Sequence, residues 1–385
     1  MKICLVSSSF YPATFYGGPI YATWDLSKQL VKKDIKVYVS TTNAHGNCRL
    51  KTETNRFIQK EKNFFVKYYH EQIINIFSLA FMFGIWFDIK KADVVYIQYL
   101  FHYTVLFSLF FSLIQRKKII IAPRGSLSSF TLSNNLKFLK AIWLKIFIDP
   151  FWKTINWHAT SYLEENDIKR RFPFAKIEVI NDGVNFSSFQ QFKKYTKHSL
   201  LMKYTNFFLK DISNVFFSLG RLHPIKDFGL LIDAFSLFVK EDKNAKLIIA
   251  GGDDGEGEKL KQQIINLKLN NSVFLIGHID FEDKKTLLNN CDYFTLASKF
   301  ESFGIVIAEA LSCGKPIVLS NKTPWKYLET NKCGILVENE EKSFANAFSE
   351  IKKLNYKPQE IKNYVKLNYD WSIIVNKFLS SIQNK

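Results

Sequence analysis

One stretch decides the fold of this chain: residues 298–316, S-K-F-E-S-F-G-I-V-I-A-E-A-L-S-C-G-K-P. The apolar run just before it, residues 293–296, predicts a buried strand. Residues 305–311 have a helical pattern, which Gly314 and Pro316 end. The turn between strand and helix predicts N–H groups without helical partners, which form a candidate anion site. A strand, a polar turn and a helix in this order are typical of an α/β protein.

Two glutamates, Glu301 and Glu309, flank this turn and helix eight residues apart. If most of the interval is helical, they are separated by roughly 12 Å along the axis. That distance is about the reach from a nucleotide's ribose, across its diphosphate, to an attached sugar. Taken alone, the spacing fits an exposed helix face better, so the surrounding sequence has to decide.

The surrounding string, E-S-F-G-I-V-I-A-E-A-L-S-C-G-K-P-I-V at residues 301–318, resembles the signature of the retaining family 4 glycosyltransferases (glycosyl transferases group 1). The resemblance implies the GT-B fold, in which two Rossmann-like, doubly wound parallel-sheet domains face each other across a cleft. It also implies that Glu301 contacts the donor sugar and that Glu309 contacts the ribose. The other donor-binding residues implied in this stretch are those of the turn: Ser302, Phe303, Gly304 and Ile305.

The size of the chain predicts two domains. At 385 residues, with 47% hydrophobic and 23% charged residues, it is globular and too long for one ordinary core. The lysine-rich segment 192–213 has no clear periodicity and predicts a linker. We expect an N-terminal acceptor-binding domain at residues 1–205 and a C-terminal nucleotide-sugar-binding domain at residues 206–363. The C-terminal helix, residues 364–385, is expected to pack back on the first domain.

A second donor motif follows the strand predicted at residues 215–219. Residues 220–227, G-R-L-H-P-I-K-D, resemble the family's G-R-L-x-x-x-K-G motif, with Asp227 where glycine is common. Their position directly after a buried strand argues against scattered surface cations. Arg221 and Lys226 are therefore predicted to clamp the donor diphosphate and neutralise its charge as it leaves.

The remaining predicted donor contacts involve backbone atoms. Gly220 belongs to the motif just described, and the segment with His278 and Ile279 resembles one whose backbone holds the base. The acidic loop at residues 251–257 lacks the D-x-D-x-D-G spacing of a calcium loop, and the five cysteines form no Cys/His cluster. The resemblance implies that no metal is required, and no cofactor is predicted. The irregular cysteine spacing favours a reducing cytoplasmic location.

The N-terminal half begins with a βαβ pattern: a strand at residues 2–7, a helix at 20–32 and a strand at 35–41. Gly17 and Gly18 lie in the loop between the first strand and the helix. The resemblance places this loop beside the donor phosphates and the acceptor, and a plain tight turn is an equally good interpretation. The loop lacks the G-x-G-x-x-G pattern, which disfavours a nicotinamide or flavin site.

Relatives often use a histidine near the end of the strand predicted at residues 118–122. Here the sequence P-R-G-S-L, residues 123–127, places Arg124 in that neighbourhood and resembles a variant among polysaccharide-assembly members. A guanidinium can grip a phosphate or an acidic acceptor in a bidentate manner. It cannot act as a general base. Arg124 is thus a candidate catalytic cation, and the group that replaces the histidine stays open.

Two further segments of the N-terminal half resemble family motifs or have a plain structural interpretation. His158 is interpreted as a packed histidine, and Glu164 lies at capping-box distance from Ser161. Residues 180–185, I-N-D-G-V-N, resemble the family's I-P-N-G-V-D turn, with Asp182 as a departure.

The net charge of +18 is uneven along the chain. Residues 1–205 contain 29 Lys and Arg against 13 Asp and Glu, whereas the remainder contains 24 against 22. A basic first half predicts an anionic partner such as a membrane surface or a lipid diphosphate. The apolar runs 73–87 and 99–114 are shorter than the roughly 20 residues of a membrane span. They predict either core helices or helices that lie on a membrane face.

Together with these features, the resemblance implies a retaining, metal-independent glycosyltransferase. It would move a sugar from a nucleotide-diphosphate sugar to a lipid-linked glycan, in O-antigen, capsule or exopolysaccharide assembly. We expect it in the cytoplasm, peripheral on the inner face of the plasma membrane, bound through its basic N-terminal domain. A nucleotide-sugar epimerase of the same fold and a non-catalytic partner protein are the alternatives. No nucleic-acid module is recognisable, so a specific nucleic acid is not expected.

Overall fold

The computed structural model describes residues 1–133, 136–205 and 211–383. The chain divides into two compact units. The first is Met1–Gly183 together with Trp371–Lys385, and the second is Val184–Asp370. Each unit is built on its own twisted sheet.

The first unit has a sheet of eight strands within the described residues, in the order β10-β9-β8-β7-β1-β2-β6-β5. All neighbours are parallel except β5 and β6, which are antiparallel. A small antiparallel pair, β3 and β4, lies outside this sheet. The strands are β1 Lys2–Val6, β2 Lys36–Thr42, β3 Ala44–His45, β4 Cys48–Arg49, β5 Phe57–Glu61, β6 Phe64–Tyr69, β7 Val94–Gln98, β8 Lys118–Ala122, β9 Ile155–Ala159 and β10 Lys176–Val179.

Helices connect these strands, as parallel pairing requires. The helix termini follow local sequence: Ser78 accepts a hydrogen bond from the backbone N–H of Phe81 and begins one helix, and Ser161 does the same for Glu164. The helices of the first unit are α1 Gly18–Lys32, α2 Leu79–Lys90, α3 Tyr103–Ile114, α4 Ser129–Ser133, α5 Lys137–Trp143, α6 Tyr162–Arg171 and, at the C-terminus, α14 Trp371–Gln383; a π-helical turn, Leu144–Ile148, continues α5.

The second unit has a parallel sheet of six strands in its described part, in the order β13-β12-β11-β14-β15-β16. Its strands are β11 Val215–Leu219, β12 Lys246–Ala250, β13 Val273–Leu275, β14 Tyr293–Leu296, β15 Ile317–Ser320 and β16 Gly334–Val337. Its helices are α7 Lys197–Thr205, α8 Phe228–Phe238, α9 Gly257–Asn266, α10 Phe281–Asn290, α11 Ile305–Ser312, α12 Glu341–Ile351 and α13 Pro358–Tyr369. In each unit the chain begins with a strand inside the sheet, adds strands out to one edge, and then returns to add strands toward the other edge. The doubly wound α/β prediction is therefore confirmed.

Apolar layers on both faces of each sheet form the cores. In the second unit one layer is rich in phenylalanine, with Phe216 in contact with Phe235, Phe238 and Phe348. No helix in the described ranges combines the length and apolar character of a membrane span.

The boundary between the units differs from the sequence prediction. Residues 184–205 belong to the second unit, although the prediction assigned 1–205 to the first. The expected linker at 192–213 contains the helix α7, whose Leu200 and Leu201 are buried in the core of the second unit. Residues 206–210, which include the predicted start of the second domain, lie outside the described residues.

The C-terminal segment also divides differently. The predicted single helix 364–385 consists of the end of α13, in the second unit, and α14, in the first. The chain passes back at Asp370, where Val184 donates its backbone N–H to the carbonyl of Tyr369 at 2.8 Å. Within the first unit, Phe378 of α14 contacts the ring of Tyr96 at 5.0 Å between centroids.

Candidate functional site

The strand order of the second unit creates a crevice between two neighbouring strands. The chain runs from β11 outward to β12 and β13, then returns to β14 on the other side. Loops after β11 and β14 therefore leave the sheet in opposite directions, at the position where open α/β sheets bind ligands. Both predicted donor motifs follow these two strands.

A charged pair spans this crevice. Lys226, after β11, donates from Nζ to Oε1 of Glu301, after β14, at 2.5 Å. Ser298 Oγ donates to the same carboxylate oxygen at 2.7 Å. The side chains of Lys226 and Glu301 are 17% and 11% exposed, so the pair is largely shielded yet still reachable from solvent. The structure thus brings together two of the residues predicted to handle the donor.

The backbone packs tightly around this pair. A Cβ on Gly220 would lie 3.1 Å from Cε of Lys226, so glycine leaves room for the lysine stem. Gly251 has a φ of 151°, and a Cβ there would lie 1.8 Å from the carbonyl oxygen of Gly220. The loops after β11 and β12 therefore approach each other as only glycine permits.

Arg221 lies in the same loop but uses a different carboxylate. Its Nη1 donates to Oδ2 of Asp254, in the loop after β12. Unlike Lys226, Arg221 is exposed, with 44% of its side chain accessible. The predicted convergence of Arg221 and Lys226 on one ligand stays a prediction, because each cation is paired with its own acid here.

His223 lies among these charged groups. Partial burial lowers its pKa, and the nearby cations Arg221 and Lys226 act in the same direction, while Asp254 opposes them. Its Nδ1 accepts the backbone N–H of Ile225 at 3.1 Å, which shapes the turn that carries Lys226.

The turn before α11 has separate roles for its side chains and its backbone. Phe303 is buried in the core, and its carbonyl accepts from Trp325 Nε1 at 2.7 Å. Gly304 begins the helix with a φ of 81°, and Ile305 is the first residue of α11. In the first turn of α11 the amide of Ile307 donates to the carbonyl of Gly304 at 2.9 Å, and an anion site at Ser302 to Ile305 stays a prediction.

Glu309 lies one to two turns further along α11 and is paired with a lysine. Its Oε1 accepts from Lys284 Nζ, on α10, at 2.5 Å. The Glu309 side chain is largely shielded from solvent. It lies on α11, the helix that begins four residues after Glu301. The ribose assignment is compatible with this position and remains a prediction.

The loop after β13 joins the same edge through its backbone. The carbonyl of Gly277 accepts the N–H of Gly251 at 2.7 Å, which draws the predicted base-binding segment toward the loop after β12. His278 is exposed and Ile279 is half-buried. Asp253 accepts from the amides of Gly255 and Gly257, so the acidic loop is a turn that begins α9.

In the first unit, the glycine loop after β1 is held by polar contacts. Gly17 has a φ of 78° and precedes α1, which begins at Gly18. The hydroxyl of Tyr16 donates to Asn75 Oδ1 at 2.6 Å, and the amide group of Asn75 donates to Gly46 at 2.8 Å. Gly17 and Gly18 therefore lie next to a loop held by hydrogen bonds after β1, and their role in donor binding stays a prediction.

Arg124 is buried in a charged pair in the first unit. Its Nη1 donates to both carboxylate oxygens of Asp182, at 2.6 and 2.7 Å, and its Nε donates to Gln98 at 2.9 Å. The side chain is only 1% exposed. Within the described residues, Arg124 Nη2 and Gln98 Nε2 have no hydrogen-bond partner. The predicted grip on an acceptor would have to use that remaining edge of the guanidinium.

The surroundings of Arg124 are also buried and polar. Glu164 accepts from the backbone N–H of Gly125 at 2.6 Å and from Thr160, so it holds the loop rather than only capping α6. Burial raises the pKa of Glu164. His158 contacts the hydroxyl of Tyr96 at 2.7 Å, and burial lowers its pKa to about 4. The interpretation of His158 as a packed histidine agrees with these contacts.

A search for clusters of three or more His, Cys, Asp or Glu that could hold a metal ion finds none in the described part of the chain.

With this geometry in place, residues 206–368 match the family model described as "Glycosyl transferases group 1". The match spans every donor residue predicted in the second unit and confirms the resemblance to glycosyl transferases group 1 for this part of the chain, while family 4 and retention of configuration stay predictions.

Comparisons with individual proteins extend this picture. An alpha-1,3/1,6-mannosyltransferase of Dictyostelium discoideum is 29% identical over 216 residues, 51% of each chain. A GDP-mannose:cellobiosyl-diphosphopolyprenol alpha-mannosyltransferase of Komagataeibacter xylinus is 22% identical over 58% of this chain and 53% of the relative. The chain thus spans about half the length of these relatives. Anabaena Alr3699/HepE, solved with UDP-glucose, aligns over 100% of both chains with a TM-score of 0.76 and 20% identity. This likeness confirms the GT-B fold.

Sequence reasoning missed the partners of the predicted residues. Ser298, Asp254 and Lys284 each bond to a predicted donor residue, yet none was singled out. Ser298 lies two residues after β14 and Asp254 four residues after β12, so their position in the loops that follow buried strands was the available signal. Lys284 sits inside a helix, and no feature of the sequence marked it.

Proposed function

We propose that this protein is a retaining, metal-independent glycosyltransferase that uses a nucleotide-diphosphate sugar. The observation that carries the proposal is the Lys226–Glu301 pair across the strand-order crevice, beside the amides that begin α11. An ammonium, a carboxylate and a helix N-terminus at one crevice match the parts of such a donor: diphosphate, sugar hydroxyl and phosphate oxygens.

The chemistry assigned to each side chain follows from charge. When the bond between the sugar C1 and the diphosphate breaks, negative charge grows on the leaving phosphate oxygen. Lys226 would exchange Glu301 for that oxygen, and Arg221 would exchange Asp254 for the second phosphate. Glu301, released from the lysine, is free to accept a hydroxyl of the sugar.

Retention of configuration requires the acceptor oxygen to attack C1 from the face that the phosphate leaves. In this front-face step the new C1–O bond forms as the C1–phosphate bond breaks, and the acceptor proton passes to the departing phosphate oxygen. No protein base is needed for that transfer, so an arginine can occupy position 124 although it cannot act as a general base.

For the acceptor we propose a lipid-linked glycan of cell-surface polysaccharide assembly, at the cytoplasmic face of the plasma membrane. Two observations support it: the net charge of +16 in residues 1–205, and the diphosphopolyprenol acceptor in the name of the Komagataeibacter relative. An anionic lipid diphosphate is attracted to such a surface.

The test is a transfer assay with nucleotide sugars and polyprenyl-diphosphate-linked glycans, with the anomeric configuration of the product read by NMR. We expect retention, no loss of activity with a chelator, and loss of transfer in Glu301→Ala with nucleotide binding preserved. Glu258→Ala, an exposed acid on α9, serves as the matched control. An inverted product would overturn the retaining assignment, and release of free epimerised donor would favour the epimerase instead.

A further inference from the structure

The helix α5 and the π-helical turn after it carry an apolar face that points away from the protein. Four large side chains on this segment are strongly exposed: Phe138 by 72%, Leu139 by 57%, Ile142 by 36% and Ile146 by 53%. At about 100° per residue, they fall within roughly one third of the helix circumference. We call these four residues the apolar helix face.

The opposite side of the same segment is anchored in the first unit, so the apolar helix face cannot simply turn inward. Leu144 and Ile148 are buried in the core. Trp143 donates from Nε1 to the carbonyl of Leu100 at 2.9 Å, and Lys140 donates from Nζ to the carbonyl of Thr131 at 2.7 Å.

Lysines accompany the apolar helix face. Residues 136–148, L-K-F-L-K-A-I-W-L-K-I-F-I, contain three lysines and no acidic residue. Lys137 and Lys145 are exposed, and Lys145 lies beside the apolar arc. The cores of protein interfaces are depleted in lysine. Helices that lie in a membrane interface combine a Phe- and Leu-rich face with flanking lysines.

We propose that the apolar helix face inserts into the surface of an anionic lipid bilayer, with Lys137 and Lys145 on the lipid headgroups. This inference deepens the proposed function and rests on it for its biological purpose. The sequence left residues 73–87 and 99–114 open between core helices and helices on a membrane face. Those runs form α2 and α3 in part, with Phe81 and Ile85 in the core, while the outer side of α2 exposes Phe83 and Phe87 by 63% each.

The experiment is flotation of the full chain with vesicles of phosphatidylglycerol and phosphatidylcholine, without any nucleotide sugar. We expect Phe138→Ser/Ile142→Ser to lower binding about tenfold or more, since both side chains leave the apolar phase. The control is Phe83→Ser/Phe87→Ser on α2, which removes two phenylalanines that are each 63% exposed and should lower binding less than about threefold. Equal losses in both variants, or no loss in the first, would overturn the proposal.

The contribution of the two lysines can be tested separately in the same vesicle experiment. Lys137→Gln/Lys145→Gln should reduce binding to the anionic vesicles while leaving the weaker binding to pure phosphatidylcholine unchanged, and an unaltered preference would contradict the headgroup contact.

Hydrogen exchange of the wild-type chain tests the proposal even if a variant fails to fold. Vesicles should protect residues 137–148, and no protection there would refute the insertion. A concentration-dependent dimer that Phe138→Ser abolishes would also refute it, because the occupant would then be a second copy. Vesicle binding does not depend on catalysis, so a protein that floats but transfers no sugar would refute only the proposed function.

Discussion

The two units differ in where they place charge. The first unit buries ionic side chains deeply: Asp88 is fully buried with Lys67 at 2.7 Å, and Arg124 is buried against Asp182 at 2.6 Å. The second unit keeps the pairs predicted to bind the donor at the rim of the sheet, where Lys226 and Arg221 both retain contact with solvent.

This difference indicates what each set of charges can do. A buried pair has lost its hydration, and breaking it leaves an uncompensated charge in the interior. A pair at the rim can exchange one partner for a ligand oxygen at little penalty, because water covers the intermediate. The rim pairs of the second unit are therefore better suited to exchanging a partner for a ligand than the buried pairs of the first unit.

The largest expected effect on stability is at Arg124. Arg124→Met should lower the free energy of unfolding by about 3–5 kcal/mol, because Asp182 is left buried without its partner. The measurement is denaturant unfolding followed by circular dichroism.

The double variant tests the reason for that loss. Arg124→Met/Asp182→Leu removes both charges and should recover most of the stability. A double variant as unstable as the sum of both single variants would show that the pair is not the cause. Lys261→Met, in an exposed pair on α9, should change stability by less than about 1 kcal/mol.

Acid should destabilise the first unit through the buried imidazole of His158, and burial lowers the pKa of His102 to about 4 as well. Because burial lowers the pKa of His158 to about 4 in the folded chain, the unfolded chain binds the proton first as the pH falls. Stability is therefore lost between about pH 6.5 and pH 4, by on the order of 3 kcal/mol.

The measurement is the free energy of unfolding at several pH values. His158→Gln should make the loss over this pH range shallower, whereas His278→Gln, at an exposed position of the second unit, should leave the profile unchanged. Parallel profiles for the wild type and His158→Gln would contradict the account.

The smallest expected effect on stability is at the rim of the second unit. Asp254→Ala should change the free energy of unfolding by less than about 1 kcal/mol, because the Arg221–Asp254 pair is partly solvated. It should strengthen nucleotide binding slightly, since Arg221 no longer has to leave a partner. Weaker binding in Asp254→Ala would show that Asp254 positions the arginine instead of competing for it.

Much of this could be predicted from the sequence because it depends on local pattern. The strands that precede Gly220 and Ser298, V-F-F-S-L and Y-F-T-L, are mostly apolar, as buried parallel strands are. Helix α2 was harder: the apolar run starts at Ile73, yet the helix starts after Ser78, whose side chain caps it.

Contacts between distant residues could not be predicted in the same way. Arg124 and Asp182 each depart from the family pattern, and they are 58 residues apart in sequence. Only the fold shows that the two departures form one charge-compensated pair. The boundary at residue 205 was misplaced for a similar reason, because Leu200 and Leu201 are buried by strands that come later in the chain.

The most direct test is calorimetric titration of the wild type and of Lys226→Ala with a nucleoside diphosphate. If Lys226 gives up Glu301 to hold the diphosphate, the wild type should bind and Lys226→Ala should bind about a hundredfold more weakly. Lys261→Ala should bind as the wild type does. Equal affinities for wild type and Lys226→Ala would contradict the claim that this crevice holds the donor.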